Sequence, residues 1–449
     1  MTWKKVRLDD ILTARTERYK PNDNAIFGLS RIDKIDFSGN IFVSNKSSNT
    51  DMILVKKDDL VISGINVAKG AMSVYQGNDD ILATIHYSSY ILDENQIDIE
   101  YFCYYLKSSL FKQTLTKQVS GGIKTEIKPN IFLSLVIQIP ATVMEQKNIV
   151  KYLRTKLSII NTLITEQSQK IKLIHNIRHQ LLTEAMNGSL SIGWRKNNPC
   201  LISAIELFMN IKSEKEQQIK QKKRKADKTL SLISEKEIPF ELPKGWVWCK
   251  LGEIISFGPT NGFSPKENKK GTGIKCLSLT ATTSGFFRDG YYKYVDEQIS
   301  SDSYLWLVKN DILLQRGNSI EYVGIAAIYE GEANQYIYPD LMIKIQVPTI
   351  ISSKYIYYVL LAPFNRKYFS SKSSGTQKSM PKINQNVVLN TLIPLPSLAE
   401  QNIIVEKLTM LLNKCNQLQF EIENQSQYIK DYPNALFNES FEGINAVEN

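Results

Sequence analysis

The sequence has little histidine or cysteine and lacks two common phosphate-binding loops. Its five cysteines are scattered and never spaced as CxxC, which argues against a disulfide framework and against a zinc site. No GxxxxGK[ST] motif occurs, and no GxGxxG follows a strand pattern. His175 and His179 stand one helical turn apart, but without the glutamate of an HExxH motif, which favours a solvated helix face. No catalytic or metal-binding set is evident.

Long apolar runs are also missing. No stretch reaches the ~18 residues of a membrane span, and the N-terminal "MTWKKVRLDD" lacks the apolar core of a signal peptide. We therefore expect a cytoplasmic protein without membrane association. A chain of 449 residues exceeds one ordinary core, so about two to four domains are expected.

Positive charge is in excess, with a formal net charge of +10. Such a balance suggests an anionic partner, of which nucleic acid is the commonest. The stretch from Lys212 to Lys228 holds eight basic residues against three acids and supplies half of the excess. It is either a solvated linker or a phosphate-contacting segment, so charge alone does not establish DNA binding.

The chain contains an internal repeat. "IQIPATVMEQKNIVKYL" at Ile137 and "IPLPSLAEQNIIVEKL" at Ile393 both pass from an apolar strand through a proline into a Glu-Gln pair and a helical pattern. Earlier matches keep the same order: "WKKVRLDDI" with "WVWCKLGEI", "DLVIS" with "DILLQ", "KGAMSVYQG" with "VGIAAIYEG", "YFCYYL" with "YIYYVL", and "SGGIK" with "SGTQK". A repeat this long indicates two similar domains rather than a solenoid.

Each repeat predicts an α+β globular domain followed by a long helix. Short β-branched runs bounded by turn residues predict strands, and "IEYFCYYLKSSLFKQTL" and "SKYIYYVLLAPFNRKYF" predict helices whose aromatic faces lie in the core. After each Glu-Gln pair, apolar residues recur in heptads over about five heptads, with gaps at Gln167, Arg178 and Gln425. The predicted seams are Val150, Leu153, Leu157, Ile160, Ile164, Ile171, Ile174 and Leu181, and Ile404, Leu408, Leu411, Cys415, Leu418, Ile422, Ile429, Tyr432 and Leu436.

These features together resemble a known family. Two related domains alternate with two long helices, "LPKGWVWCKLGEI" opens the second domain, and "IPLPSLAEQ" begins the second helix. This pattern resembles the specificity (S) subunit of type I restriction-modification systems, the HsdS family. The first copy departs from it, because Gln138 replaces a proline and "ATVMEQ" is one residue longer than "SLAEQ".

The resemblance implies a division of labour. Each globular domain would be a target recognition domain that reads one half of a bipartite double-stranded DNA site. The helices would form an intramolecular antiparallel coiled coil that sets the spacing and docks methyltransferase (M) subunits. S-adenosylmethionine would bind those M subunits and not this chain, restriction (R) subunits would join when present, and the chain itself would be non-catalytic. The expected segments are 1–140 (first recognition domain), 141–188 (first helix), 189–241 (connector), 242–396 (second recognition domain) and 397–449 (second helix and tail).

Candidate DNA contacts are polar or basic loop residues at matched positions of the two copies. Arg316 and Gln377 are the sharpest, since arginine can fork onto guanine and glutamine onto adenine. The candidates are Ser63, Asn66, Lys69, Lys124, Lys128, Arg316, Asn318, Ser319, Gln377, Lys378 and Lys382.

Two other functions stay open. One is the specificity chain of a related fused restriction-methylation enzyme of the type IIB or IIG kind, against which the missing cofactor motif weighs. The other is a coiled-coil scaffold with no role at DNA.

Overall fold

The computed structural model describes most of the chain, in five ranges: residues 2–118, 127–198, 203–221, 230–374 and 380–442. The chain forms two compact units. The first comprises Met1–Lys170 and Glu421–Asn449, and the second comprises Ile171–Phe420.

The described part of the first unit holds eleven strands in three sheets. The strands are β1 (Trp3–Arg7), β2 (Leu12–Ala14), β3 (Arg18–Tyr19), β4 (Arg31–Ile35), β5 (Ile41–Ser44), β6 (Met52–Val55), β7 (Leu60–Ser63), β8 (Met72–Val74), β9 (Ile81–Thr84), β10 (Tyr87–Leu92) and β11 (Val136–Pro140). Their orders are β1-β11, β2-β10-β7-β8 and β3-β6-β9-β4-β5. The helices are α1 (Leu8–Ile11), α2 (Ile99–Lys107), α3 (Ser109–Gln118), α4 (Pro129–Leu133) and the first part of α5 (Val143–Met186).

The second unit has nine strands among its described residues, again in three sheets. They are β12 (Val247–Lys250), β13 (Phe257–Asn261), β14 (Ile274–Leu277), β15 (Tyr292–Val295), β16 (Ile312–Gln315), β17 (Ala326–Ile328), β18 (Tyr336–Ile337), β19 (Met342–Gln346) and β20 (Leu392–Leu395). Their orders are β12-β20, β13-β19-β16-β17 and β15-β14-β18. The helices are α6 (Ile192–Asn197), α7 (Ala204–Lys220), α8 (Leu251–Ile254), α9 (Ser353–Leu361), α10 (Pro363–Lys372), α11 (Gln385–Leu389) and α12 (Leu398–Glu442), which also enters the first unit.

The predicted duplication is confirmed in the fold. The four-stranded sheets β2-β10-β7-β8 and β13-β19-β16-β17 have the same order of matched strands. In both units an aromatic helix pair, a short helix and a final strand follow, and the final strand pairs antiparallel with the strand that opens the unit. The predicted α+β class with two similar domains is therefore correct.

The aromatic helix faces lie in the core, as predicted. Tyr101, Phe102 and Tyr105 of α2 are fully buried, as are Tyr355 and Ile356 of α9. Burying one such side chain contributes roughly 1.5–3 kcal/mol relative to leaving it exposed. These helices therefore anchor each unit.

The two long helices pack antiparallel, as the heptad pattern predicts. In the first unit, Val150 and Leu153 near the start of α5 share a core with Phe437 near the end of α12. In the second unit, Met186 at the end of α5 shares a core with Ile404 near the start of α12. Within each unit, the start of one helix therefore lies beside the end of the other.

Most predicted seam residues are buried or half-buried, but Leu418 and Tyr432 are 51% and 48% exposed, so their predicted place in the seam is wrong. The reason at Leu418 is a polar layer. Arg178 donates to Gln419 Oε1 (2.6 Å) and to Asn416 Oδ1 (2.8 Å), so the half-buried Gln419 contacts α5 while Leu418 stays exposed. Pro433 does not end the helix, which continues to Glu442. The buried members are Val150, Leu153, Ile160, Ile174, Ile404, Leu408, Cys415 and Leu436, and the half-buried members are Leu157, Ile164, Ile171, Leu181, Leu411, Ile422 and Ile429.

The gaps in the heptad pattern also pair with each other. Gln167 donates to Gln425 Oε1 at 3.3 Å, in addition to the contacts of Arg178. Polar residues at seam positions fix the register of a helix pair at a cost in stability. The interruptions therefore specify how the two helices align.

The junction between each domain and its long helix is built around the glutamine of the Glu-Gln pair. Gln146 and Gln401 are fully buried. Gln146 Oε1 accepts the Asp98 N–H (2.7 Å), and its Nε2 donates to Pro140 O (3.3 Å). Gln401 Oε1 accepts the Ser352 N–H (2.9 Å), and its Nε2 donates to Pro396 O (3.0 Å). Each glutamine therefore joins the final strand, the long helix and the N-terminus of the aromatic helix.

The extra residue of the first copy leaves this junction intact. Thr142 and Ser397 each lie three residues before the glutamate and accept its backbone N–H through their hydroxyls, both at 3.3 Å. The additional Ala141 lies ahead of the cap, where its N–H donates to Thr2 O at 2.9 Å. The insertion is therefore absorbed before the helix begins.

The two glutamates have different partners. Glu145 is half-buried and closes a capping box with Thr142. Glu400 is buried and accepts from Ser191 Oγ (2.7 Å), Arg195 Nη1 (2.6 Å) and Trp246 Nε1 (2.9 Å). The second copy thus uses the same acid to secure the segment that leads into its domain.

Replacing Gln401 by alanine should destabilise the second unit. The Ser352 N–H and the Pro396 carbonyl would lose their partners. Each buried group without a hydrogen-bond partner should lower the free energy of unfolding by about 1–3 kcal/mol. The measurement is the free energy of unfolding in denaturant together with hydrogen exchange at the Ser352 amide. Asn402→Ala, at the adjacent exposed position, is the matched control. Equal stability and exchange in the two variants would show that the junction does not depend on the glutamine.

Candidate nucleic-acid interface

In the second unit, two loops that carry predicted DNA contacts lie side by side. The Arg316 N–H donates to Leu341 O (2.7 Å), and Arg316 O accepts the Ile383 N–H (2.8 Å). Gly317 and Lys382 form an isolated antiparallel bridge. The loop that follows β16 is therefore held between the start of β19 and the segment before α11.

The first unit repeats this arrangement at the matched positions. The Gly64 N–H donates to His86 O (3.1 Å), and Gly64 O accepts the Ile127 N–H (3.1 Å). The loop after β7, which carries Asn66 and Lys69, is thereby brought beside the segment that contains Lys128. The shared hydrogen bonds are made by the backbone, so they persist although the side chains differ.

The predicted contacts differ in their exposure. Lys69, Lys128, Ser319 and Lys382 are exposed, and Asn66, Arg316 and Asn318 are half-buried. Lys124, Gln377 and Lys378 lie outside the described residues.

Ser63 is 8% exposed at the end of β7, which leaves its side chain little surface for a DNA contact. All four residues of β7 are buried, and Gln315, the counterpart of Ser63 in the second unit, is fully buried. Ser63 thus lies in the interior beneath its loop and not on the exposed surface of the loop.

The Arg316 guanidinium uses only part of its hydrogen-bonding capacity within the described protein. Its Nη1 donates to Asp340 O at 3.3 Å, and the structure records no carboxylate partner for it among the described residues. A guanidinium carries five N–H donors in a planar fork. Most of this donor capacity therefore has no recorded partner among the described residues.

Sequence reasoning missed the role of Gln315, the last residue of β16. It lies beneath the loop and touches Asn318, one of the predicted contacts. The only available signal was the final letter of the matched pair "DLVIS" and "DILLQ". Exposed Ile320 and Tyr322 of the same loop were also not singled out.

A buried acid supports each loop from the other end of its strand. Asp58 and Asn310 adopt left-handed conformations (φ of 68° and 73°), which place Asp59 and Asp311 inside. Asp59 accepts the Lys56 N–H and Asp311 accepts the Val308 N–H, both at 2.9 Å. Each acid thus closes the turn that starts β7 or β16.

The two acids have different cationic partners. Asp59 is paired with Arg15, whose Nη2 donates to Asp59 Oδ1 at 3.0 Å. Asp311 is paired with Lys344 of β19 at 3.4 Å, and both side chains are almost fully buried. Burial raises the pKa of Asp311 and lowers the pKa of Lys344 from their ordinary values. The position of the acid is repeated, but its counter-ion is not.

With this geometry in place, comparison with known proteins identifies the family. The sequence profile of the type I restriction modification DNA specificity domain matches residues 1–173 and 243–426. The chain belongs to this family. It carries two copies of the specificity domain, which correspond to the two repeats.

Individual members of the type I specificity family are also similar to this chain in sequence. The EcoEI specificity subunit from Escherichia coli is 28% identical over 273 residues, which are 60% of this chain and 44% of that protein. The chain thus covers less than half of the length of this relative. The EcoKI specificity subunit from Escherichia coli strain K12 is 22% identical over 418 residues, which are 89% of this chain and 80% of that protein.

A solved structure supports the fold. A chain in a structure described for the complex assembly and conformational transition of a type I restriction-modification system superposes with a TM-score of 0.66. It is 16% identical, and the match covers 98% of this chain and 97% of that chain. At this identity the likeness concerns the architecture only.

Among the described residues, no three histidine, cysteine or acidic side chains cluster as a metal site would require. None of the described helices is both long enough and apolar enough to cross a membrane.

Lys344→Met should destabilise the second unit in a pH-dependent manner. It would leave the Asp311 carboxylate buried without its cation, which should lower the free energy of unfolding by about 3–5 kcal/mol. A carboxyl whose pKa is raised by folding contributes stability below its unfolded pKa and loses it as pH rises through the folded pKa. Removing Lys344 raises the pKa of Asp311 further, since the lysine lowers it. The loss should therefore be larger at neutral than at acid pH.

The check is denaturant unfolding of the Lys344→Met chain at several pH values. Lys309→Met, which changes an exposed lysine close to the same turn, serves as the control. A deficit that stays constant with pH would mean that Asp311 does not titrate as its burial requires.

Proposed function

We propose that this chain is the DNA-reading subunit of a type I restriction-modification complex, in which each globular domain reads one half of a bipartite double-stranded target. The observation that carries this proposal is the repeated loop pair. In both units the same backbone hydrogen bonds hold two loops together, and matched positions on them carry polar or basic side chains. The family membership supports the same function.

The chemistry of the loops suits DNA. Exposed Lys69, Lys128 and Lys382 supply cations for phosphates, which provide affinity without sequence information. Arg316 and Asn318 supply directed N–H donors, which can reach the acceptors of base edges in the major groove. Two domains that each recognise one short DNA sequence then define one bipartite site.

The long helices would set the spacing of the half-sites and dock the methyltransferase subunits. On the first unit, Ile159, Leu163, Tyr428 and Tyr432 are exposed and line a hollow of about 320 Å³. Exposed apolar patches of this kind mark interaction sites. S-adenosylmethionine would bind the docked subunits, and restriction subunits would join the same complex.

The chain itself would be non-catalytic. The related specificity subunits support this role, and the sequence has neither of the phosphate-binding loops considered above. The fused restriction-methylation enzyme and the DNA-free scaffold make different predictions in the same assay.

Selection from a randomised duplex library should recover two short conserved blocks separated by a spacer of fixed length. The full-length chain, alone and with its methyltransferase subunits, should bind these duplexes with an affinity that falls steeply between low and moderate salt, because bound phosphates release counterions. No enrichment and no salt dependence would favour the scaffold. Methylation by the purified chain alone would favour the fused enzyme.

Arg316→Ala should relax base choice in one block only. If the guanidinium forks onto a guanine, its loss costs about 1–3 kcal/mol of discrimination at one position of the half-site read by the second domain. The other block should be unchanged and serves as the internal control. Uniform weakening on all sequences would make Arg316 a phosphate contact instead.

A further inference from the structure

Gln315 is a fully buried amide whose orientation is fixed by the protein. The two N–H groups of its Nε2 face three acceptors, Leu279 O (2.9 Å), Thr282 Oγ1 (3.1 Å) and Thr283 Oγ1 (2.9 Å). The hydroxyls of Thr282 and Thr283 in turn donate to Leu279 O, at 3.4 Å and 2.8 Å. Since a carbonyl oxygen can only accept, the Gln315 side-chain atom that lies 2.9 Å from Leu279 O is the amide nitrogen. The amide nitrogen therefore faces the threonines, and the amide oxygen faces the loop.

This orientation determines the orientation of Asn318. Gln315 Oε1 accepts a hydrogen bond from Asn318 Nδ2. Asn318 Oδ1 accepts the Ser319 N–H at 2.8 Å, and the Asn318 N–H donates to Pro381 O at 3.3 Å. The side-chain oxygen of Asn318 is thus already engaged, and one Nδ2–H has no recorded partner among the described residues. Asn318 presents a donor.

The first unit lacks this clamp at the matched positions. Ser63 replaces the glutamine, and the side chain of the corresponding Asn66 makes no hydrogen bond that the described part of the chain records. Its amide can turn either way, so it can present a donor or an acceptor. The loops of the two units therefore share a backbone conformation. They differ in whether the asparagine side chain is held in one orientation, as at Asn318, or can turn, as at Asn66.

We propose that Gln315 is a positioning residue for base recognition, which makes Asn318 a fixed hydrogen-bond donor towards a base with a major-groove acceptor. This inference rests on the proposed function. Guanine, adenine and thymine offer acceptors in that groove, whereas cytosine offers a donor. The second domain should therefore discriminate against cytosine at the base that Asn318 contacts.

The test uses the full-length chain and a library of duplexes randomised in both half-sites. Gln315→Met keeps a side chain of similar size but removes the amide. It should lower the discrimination against cytosine at one position of the second half-site about tenfold. The preferences in the first half-site and the salt dependence should stay unchanged. Gln298→Met, at an exposed position of the same unit, is the matched control.

A double-mutant cycle separates positioning from simple destabilisation. Asn318→Ala alone should give the same loss at the same position, and the double variant should lose no more than either single variant, because both changes remove one contact. Additive losses, or full discrimination by a folded Gln315→Met chain, would overturn the inference.

Asn318→Asp provides a second route if the buried substitution impairs folding. This variant changes only a half-buried loop residue, and it replaces the free donor by an acceptor. The preference at that position should shift towards cytosine, whose N4 amino group can donate to a carboxylate. An unchanged preference would contradict the proposal. If the unmodified chain selects no half-sites at all, the proposed function fails before this inference is reached.

Discussion

The buried glutamine at the start of each long helix is the contact on which the architecture depends. Gln146 and Gln401 each donate to the carbonyl of a proline at or directly after the end of the final strand, and each accepts the N–H at the start of an aromatic helix. An amide suits this place because it donates and accepts at the same time without a charge to desolvate. One side chain therefore fixes how each globular domain continues into its long helix.

The repeated positions show which features the two copies need and which they can vary. The glutamine clamp, the left-handed turn residue and the buried acid recur, and so do the backbone hydrogen bonds at Gly64 and Arg316. The partners of Glu145 and Glu400 differ, and so do the side chains on the loops. Conformation is repeated while side-chain chemistry varies, as the proposed reading of different sequences with one scaffold requires.

Much of this could be predicted from the sequence, because repeated order and heptad spacing are properties of the chain itself. The duplication, the α+β domains and the antiparallel helices follow from such patterns. The exposure of Leu418 and the burial of Ser63 do not, because they depend on which neighbour occupies the inner face after packing. The positioning by Gln315 was equally hidden, since its three acceptors come from a segment far away in sequence.

The first unit is discontinuous in sequence, and this affects the order in which the protein can be completed. Its core includes Phe437 and Phe441, whose rings contact Tyr101, Tyr104 and Tyr105 within 6 Å. These residues are translated after the whole of the second unit, which is continuous. During synthesis, the domain made first is therefore the last to close its core. A chain cut short before Phe437 would expose that aromatic surface, which is the kind of apolar surface that chaperones and proteases recognise.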